Sequence, residues 1–176
     1  MNFITTPIEG LVVIEPKIYH DERGYFFESF NQQEIEKYGI KNNFVQDNQS
    51  LSKKGVLRGL HFQNPPFEQG KLIRVVRGAV LDVTVDIRKS SPTFGKHFSI
   101  ELNDKNNKLL WVPPGFAHGF LALEDHTIFL YKCTALYNKT AESGLLYNDP
   151  ALNINWGEIN PLLSEKDLQL PLLKKL

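Results

Sequence analysis

The chain has 176 residues, enough for the core of one domain, and its Lys plus Arg equal its Asp plus Glu at 20 each. That balance leaves no electrostatic footprint for nucleic acid, although a local cluster of Arg and Lys can still hold a small anion. The single cysteine, Cys133, excludes an internal disulfide and reads as a small buried apolar side chain in a reducing compartment.

In chain order, residues 11–14 are a β-branched apolar run and residues 25–30 an aromatic-rich one, both strand-like. Residues 31–38 favour one short helix, with Gly39 as its stop. Residues 44–50 are dense in amides, which suit the polar edge of a nucleobase or sugar hydroxyls, and otherwise make an ordinary loop. Residues 55–63 and 71–77 return to strand character. Leu81, Val83, Val85 and Ile87 alternate with Asp82, Thr84 and Asp86, the period-two mark of a half-buried strand. Residues 98–102, 119–123 and 126–134 read similarly, with a polar turn at 103–107, and Ser164 opens a second turn of helix. Many short strands separated by turn signals argue an all-β sandwich or barrel rather than a βαβ fold. No repeat or linker divides residues 1–176, so one domain is expected. Residues 1–5 carry no charged start to a signal peptide, and no stretch approaches the ~18 apolar residues of a membrane span. The expectation is a soluble cytoplasmic protein.

Polar groups intrude on three of the apolar runs, where they are costly unless paired or chemically used. The first intrusion is Arg58, His61 and Gln63, followed by Lys71; the second is His118 after Pro113-Pro114-Gly115; the third is Tyr131-Lys132. On a regular strand His61 shares a face with Leu57, Gly59 and Gln63, where a neutral imidazole can act as a general base. Arg58 then falls on the opposite face, so if both serve one pocket Gly59 must mark a bulge. Lys71 can bind phosphate or stabilise a developing enolate oxygen. Tyr131, on the face of Phe129 and Cys133, can deliver a proton. Arg23, Tyr25 and Phe27 share a face near Glu28, a pattern able to stack a base and clamp a phosphate. Pro-x-Gly-x-x-His is a ligand-bearing spacing of cupin barrels, and it raises a metal site of His61, Glu68 and His118. Against it, Gln63 stands where a second imidazole of the first motif is needed, and Lys71 adds positive charge nearby. No metal is expected.

Matching segments run in one order along nearly the whole chain. They are Asp21-x-Arg23-Gly24-x-Phe26-x-Glu28, Phe44-Val45-Gln46-Asp47-Asn48, Gly55-Val56-Leu57-Arg58-Gly59-Leu60-His61, Lys71, Pro113-x-Gly115-x-x-His118-Gly119-Phe120 and Tyr131-Lys132-Cys133, then Asn148-Asp149-Pro150, Ile154-x-Trp156 and Leu163-Ser164-x-Lys166-Asp167. Together they closely resemble the dTDP-4-dehydrorhamnose 3,5-epimerase family. The resemblance implies a jelly-roll, cupin-like β-barrel with a few short peripheral helices, and an epimerase that needs no cofactor. The family substrate is a dTDP-linked 4-keto-6-deoxyhexose, inverted at C3 and C5 through enolates on the way to rhamnose for surface polysaccharides.

Carried onto this chain, His61 is the base, Asp167 its acidic partner, Tyr131 the acid and Lys71 the enolate stabiliser. Arg58 and His118 resemble sugar or diphosphate contacts. Arg23, Glu28, Gln46 and Asn48 fall in nucleotide-binding segments, Glu142 and Lys166 match contact positions, and Tyr137 is placed to stack on thymine. The resemblance further implies a homodimer in which the Arg23–Glu28 strand reaches the neighbour's site. The competing expectations are a single-site C3 or C5 epimerase, a metal-dependent cupin dioxygenase, and a sugar-nucleotide binding module without catalysis.

Overall fold

Short β-branched and aromatic runs, cut by Gly, Pro and Asn, fold as strands in the structure, a computed structural model that describes residues 1–157 and 160–176. In chain order these are β1 (Asn2–Thr5), β2 (Val12–Glu15), β3 (Tyr19–Asp21), β4 (Gly24–Phe26), β5 (Gln46–Ser52), β6 (Leu57–Gln63) and β7 (Lys71–Arg77). They continue as β8 (Ala79–Asp86), β9 (His97–Asn103), β10 (Leu109–Val112), β11 (Phe116–Ala122), β12 (Thr127–Cys133) and β13 (Glu142–Gly144). One antiparallel sheet runs β1-β2-β10-β7-β12-β5 and a second runs β13-β6-β11-β8-β9, with β3 and β4 forming a separate hairpin. The two sheets face each other as a jelly roll.

One end of the space between the sheets is filled by an apolar cluster that includes Val13, Ile73, Val80, Leu110, Phe116 and Phe129. The outer face of the first sheet is covered by the helix α1 (Gln32–Tyr38), whose Ile35 packs with Val12, Leu72 and Trp111. Asn31 caps this helix by accepting from the amides of Gln33 and Glu34, and Gly39 ends it in the left-handed region at φ 108°. The outer face of the second sheet is covered by the C-terminal segment. Leu163, Leu173 and Leu176 pack on the cluster of Leu57, Leu60, Val83 and Leu145. Within that segment lies the helix α2 (Glu165–Leu168), whose first turn is capped by Ser164.

Three features depart from the sequence expectations. Strand structure in the aromatic run ends at Phe26, because β4 pairs only with the three residues of β3. The amide-rich run is not a loop: Gln46 to Ser52 form the edge strand β5, paired along its length with β12. In β8 the polar residues are not on a solvated face. Asp82, Thr84 and Asp86 are fully buried, while Leu81, Val83, Val85 and Ile87 are the side covered by the C-terminal segment. Asp86 is held there by bonds from Arg88 Nε (2.9 Å), Ser91 Oγ (2.6 Å) and Thr93 Oγ1 (2.6 Å). Burial opposes its ionisation, but these donors outweigh burial and keep the carboxyl well below the usual range.

The pairing of β6 with β11 contains an extra residue. His61 lies opposite His118 and Arg58 opposite Phe120, so three steps on β6 match two on β11. The slip turns Arg58 onto the same face as His61 and sends Leu57, Leu60 and Phe62 to the outer cluster. Leu57, which strict alternation puts on the His61 face, packs in the outer cluster while still forming part of the cavity lining. Gly59 sits in the slip at φ 118°, and a Cβ there would lie 2.6 Å from Gly119 Cα and 2.8 Å from His118 O. Gly59→Ala is expected to lower stability by about 2–4 kcal/mol in urea unfolding. An unchanged midpoint would contradict this account of the slip.

Candidate active site

Beyond the apolar cluster, whose Phe120 and Phe129 form part of the lining, the space between the sheets opens into a cavity of about 560 Å³. Each sheet supplies one wall. From β6 and β11 come Arg58, His61 and His118; from β5, β7 and β12 come Asn48, Ser50, Lys71 and Tyr131. The C-terminal segment adds Leu163, Ser164, Lys166 and Asp167 at the rim. Each of the three polar intrusions seen in the sequence thus sends a side chain to one interior, while Lys132 of the third turns away and pairs with Asp47.

His61 Nε2 donates to Asp167 Oδ1 across 2.6 Å. The carboxylate can only accept, so Nε2 carries a proton and Nδ1 keeps its lone pair when the ring is neutral. Asp167 is itself buried, 4% exposed. Burial pushes its carboxyl up, yet bonds from His61, the Ser164 hydroxyl and the Gly59 amide overcome that and leave it below the ordinary range. The helix cap at Ser164 fixes the turn that carries Asp167, through a 3.1 Å bond from the Asp167 amide.

Lys71, 9% exposed, begins β7 and lies opposite Val112 and Cys133 on the flanking strands. Its Nζ donates to His61 O at 3.4 Å. Burial pushes its ammonium down from the usual lysine range, opposed by Cys133, Asp82 and Glu142. Tyr131 faces inward beside Phe129, 6.0 Å between ring centroids. Burial pushes its hydroxyl up, so it remains protonated and available as a donor. His118 Nε2 donates to the fully buried Asp82 at 2.8 Å. Asp82 is a site residue that the sequence reading left in the strand pattern. Its signal was present in the alternation of β8, but alternation alone does not say which face looks inward.

The mouth is a linked polar edge. Tyr137 Oη donates to Glu142 Oε2 at 2.7 Å, Lys166 Nζ pairs with the same oxygen at 2.5 Å, and Gln46 Oε1 accepts from the Tyr137 amide at 2.8 Å. A side cavity of about 120 Å³ shares His61, Lys71 and Tyr131 with the main one and reaches Tyr137 and Glu142. Arg58, also at the mouth, donates to Ser52 Oγ and Leu51 O at 3.2 and 3.4 Å.

Arg23 and Glu28 are not brought to this cavity. The Arg23 side chain is 85% exposed and paired with Asp21, and Glu28 accepts from Asn31 Nδ2 at 3.1 Å. Glu68 lines neither cavity, and among the described residues no three His, Cys, Asp or Glu side chains converge as a metal-binding set. The ligands needed for the metal-cupin reading are therefore not assembled. Among the described residues no helix is long and apolar enough to cross a membrane.

Because Asp167 is held below its ordinary value, it contributes stability above the unfolded carboxylate pKa of about 4, and that contribution fades as pH falls through the lower folded value. Asp167→Asn is expected to cost about 1–2 kcal/mol at neutral pH, with the gap to the unaltered protein closing in acid. Chemical unfolding at several pH values checks this, and a gap that widens in acid would contradict it.

The chain matches proteins of known description over nearly its whole length. A sequence model of the family described as dTDP-4-dehydrorhamnose 3,5-epimerase matches residues 5–175. A dTDP-4-dehydrorhamnose 3,5-epimerase of Shigella flexneri is 54% identical over 169 residues, covering 96% of this chain and 93% of the relative. The crystal structure of the Bacillus anthracis dTDP-4-dehydrorhamnose 3,5-epimerase with TDP and PPi bound superposes with a TM-score of 0.95 at 46% identity, covering 97% of this chain and 98% of that one. The Legionella pneumophila dTDP-6-deoxy-D-glucose-3,5-epimerase in complex with dTDP-4-keto-L-rhamnose gives 0.94 at 50% identity, covering 98% and 93%. On this agreement of sequence, fold and cavity, the chain belongs to the dTDP-4-dehydrorhamnose 3,5-epimerase family.

Proposed function

We propose that the chain, residues 1–176 acting as one domain, epimerises dTDP-4-dehydro-6-deoxy-D-glucose at C3 and C5 to dTDP-4-dehydro-L-rhamnose. The observation that carries this reading is the placement of a His–Asp pair and a protonated Tyr on opposing sheets around one cavity. A base on one wall and an acid on the other suit removal of a proton from one face of a carbon and its return to the other.

In this reading His61 Nδ1 takes the proton from the carbon next to the 4-ketone, and Asp167 steadies the imidazolium that forms. The electron pair moves onto the C4 oxygen. Lys71 faces that oxygen; burial makes its N–H more acidic and so a better donor to a developing oxyanion. Tyr131 gives its proton to the opposite face of the carbon. Each proton transfer helped in this way gains about 10²–10⁴-fold, and an oxyanion donor about 10²–10³-fold. No step needs a cofactor or metal.

For the nucleotide we assign Arg58 to the diphosphate, Gln46 and Asn48 to polar base or sugar edges, and Tyr137 to stacking on thymine. Glu142 and Lys166 hold the rim against Tyr137. We further propose a homodimer in which Arg23 and Glu28 serve the partner's cavity. Support comes from their distance from their own cavity lining and from the exposed aromatics of the same hairpin, Tyr19, Tyr25 and Phe26. The enzyme is assigned to the cytoplasm, between a dehydratase that makes the 4-keto sugar and a reductase that removes the ketone.

The test is turnover of dTDP-4-keto-6-deoxyglucose, with no metal added, coupled to that reductase. A rhamno-configured product supports the reading, and a product inverted at one carbon would make the chain a single-site relative. Tyr131→Phe is expected to cut product formation by about 10²-fold or more while proton removal from the substrate continues. Product formation at the wild-type rate in that variant would contradict the acid role.

A further inference from the structure

The cavity holds a second histidine–carboxylate pair, which the scheme above does not use for proton transfer. His61 and His118 lie directly opposite each other on β6 and β11, each with its own carboxylate. The second carboxylate, Asp82, is fully buried on β8, and its Oδ1 has no protein partner. Among the described residues His118 is the one hydrogen-bond partner of the Asp82 side chain. A buried carboxylate with so few partners is poor value as scaffold, because an apolar residue of similar size would be at least as stable there. Its one partner, the imidazole, points to what it does there.

We propose that Asp82 is a positioning residue that holds His118 as the Nε2–H tautomer, so that the ring offers an unprotonated Nδ1 to the cavity as an acceptor for a sugar hydroxyl. The carboxylate accepts and cannot donate, so the nitrogen 2.8 Å away must carry hydrogen. Nδ1 is then the ring's remaining polar atom, and among the described residues the ring's one hydrogen bond is through Nε2, on a side chain that lines the cavity. Burial disfavours a second proton on His118, and so do Lys71 and His61; Asp82 pulls the other way but does not prevail. Thr84, opposite His118 on β8, and the Phe129 ring, 6.1 Å away, add no charge. A neutral ring with a bare Nδ1 repels phosphate oxygens and accepts from hydroxyls. This divides the two groups that family resemblance leaves together as sugar or diphosphate contacts: Arg58, a cation at the mouth, suits the diphosphate, and His118 suits the sugar.

The assignment of the hydroxyl to a sugar rests on the epimerase reading; the tautomer does not. Two-bond proton–nitrogen correlation spectra of ¹⁵N-labelled protein without ligand, near neutral pH, report the tautomer directly. The expected result is Nε2–H with unprotonated Nδ1 in the wild type, and loss of that single state in Asp82→Val. A wild-type ring bearing Nδ1–H, or both protons, would overturn the proposal. In parallel, Asp82→Val is expected to raise KM for the 4-keto sugar nucleotide about tenfold, the worth of one hydrogen bond, while dTDP alone binds within about twofold of wild type. Equal losses for both would put His118 on the diphosphate and overturn the hydroxyl role. Asp82→Asn keeps a carbonyl acceptor of the same size and is expected to bring KM back to within about threefold of wild type, which guards against misfolding of the valine variant; a loss as large as that of Asp82→Val would count against positioning. A wild-type protein with the expected tautomer but no turnover would uphold the hold of Asp82 on His118 and sink the substrate assignment alone.

Discussion

The 2.6 Å hydrogen bond between His61 and Asp167 joins residues 106 positions apart, and the rest of the site depends on it. It ties a central strand of one sheet to the last α-helix of the chain. The tie is not isolated. Leu57 donates to Leu162 O at 2.9 Å, Leu162 donates to Gly55 O at 2.8 Å, and Leu163 packs into the outer cluster of the same sheet. The C-terminal segment therefore covers apolar surface and delivers a carboxylate in one act of packing. A buried carboxylate is costly alone, and here its partner is the imidazole that it orients.

Around that tie the two sheets are chemically unlike. The β6–β11–β8 wall carries two imidazoles, each held in one tautomer by a carboxylate behind it. The β7–β12–β5 wall carries Lys71, Tyr131 and the short polar side chains of β5. A flat sugar enolate between the walls would meet a lone-pair acceptor on one side and N–H and O–H donors on the other. Burial supports each role. It keeps the Tyr131 hydroxyl protonated and makes the Lys71 ammonium a better donor to an oxyanion.

Much of this was legible in the sequence. His61, Lys71, His118 and Tyr131 stand out because polar heads interrupt apolar runs, and the structure brings them to one cavity. Helix α1 was marked by its composition and its glycine stop, while Asn31 proves to be its cap rather than its first residue. What escaped has physical reasons. The edge strand β5 lacks β-branched residues, and its pairing with β12, not its composition, makes it a strand. Asp82 was hidden because alternation fixes two faces without saying which is inside. In a barrel with a covered outer face, the polar face can be the interior one. Arg58 required a register slip that no periodicity shows, although Gly59 marked the place. Asp167 is invisible to local pattern, being 106 residues from His61, and only resemblance pointed to it.

In the proposed mechanism one base, His61, removes the proton at both carbons. Incubating the protein in deuterated water with dTDP-4-keto-6-deoxyglucose, with proton NMR and mass detection, tests it most directly. The account predicts deuterium at both C3 and C5 with the wild type, and at neither with His61→Asn, while that variant still binds dTDP within a few-fold of wild type. Deuterium entering either carbon at the wild-type rate in His61→Asn would contradict the account.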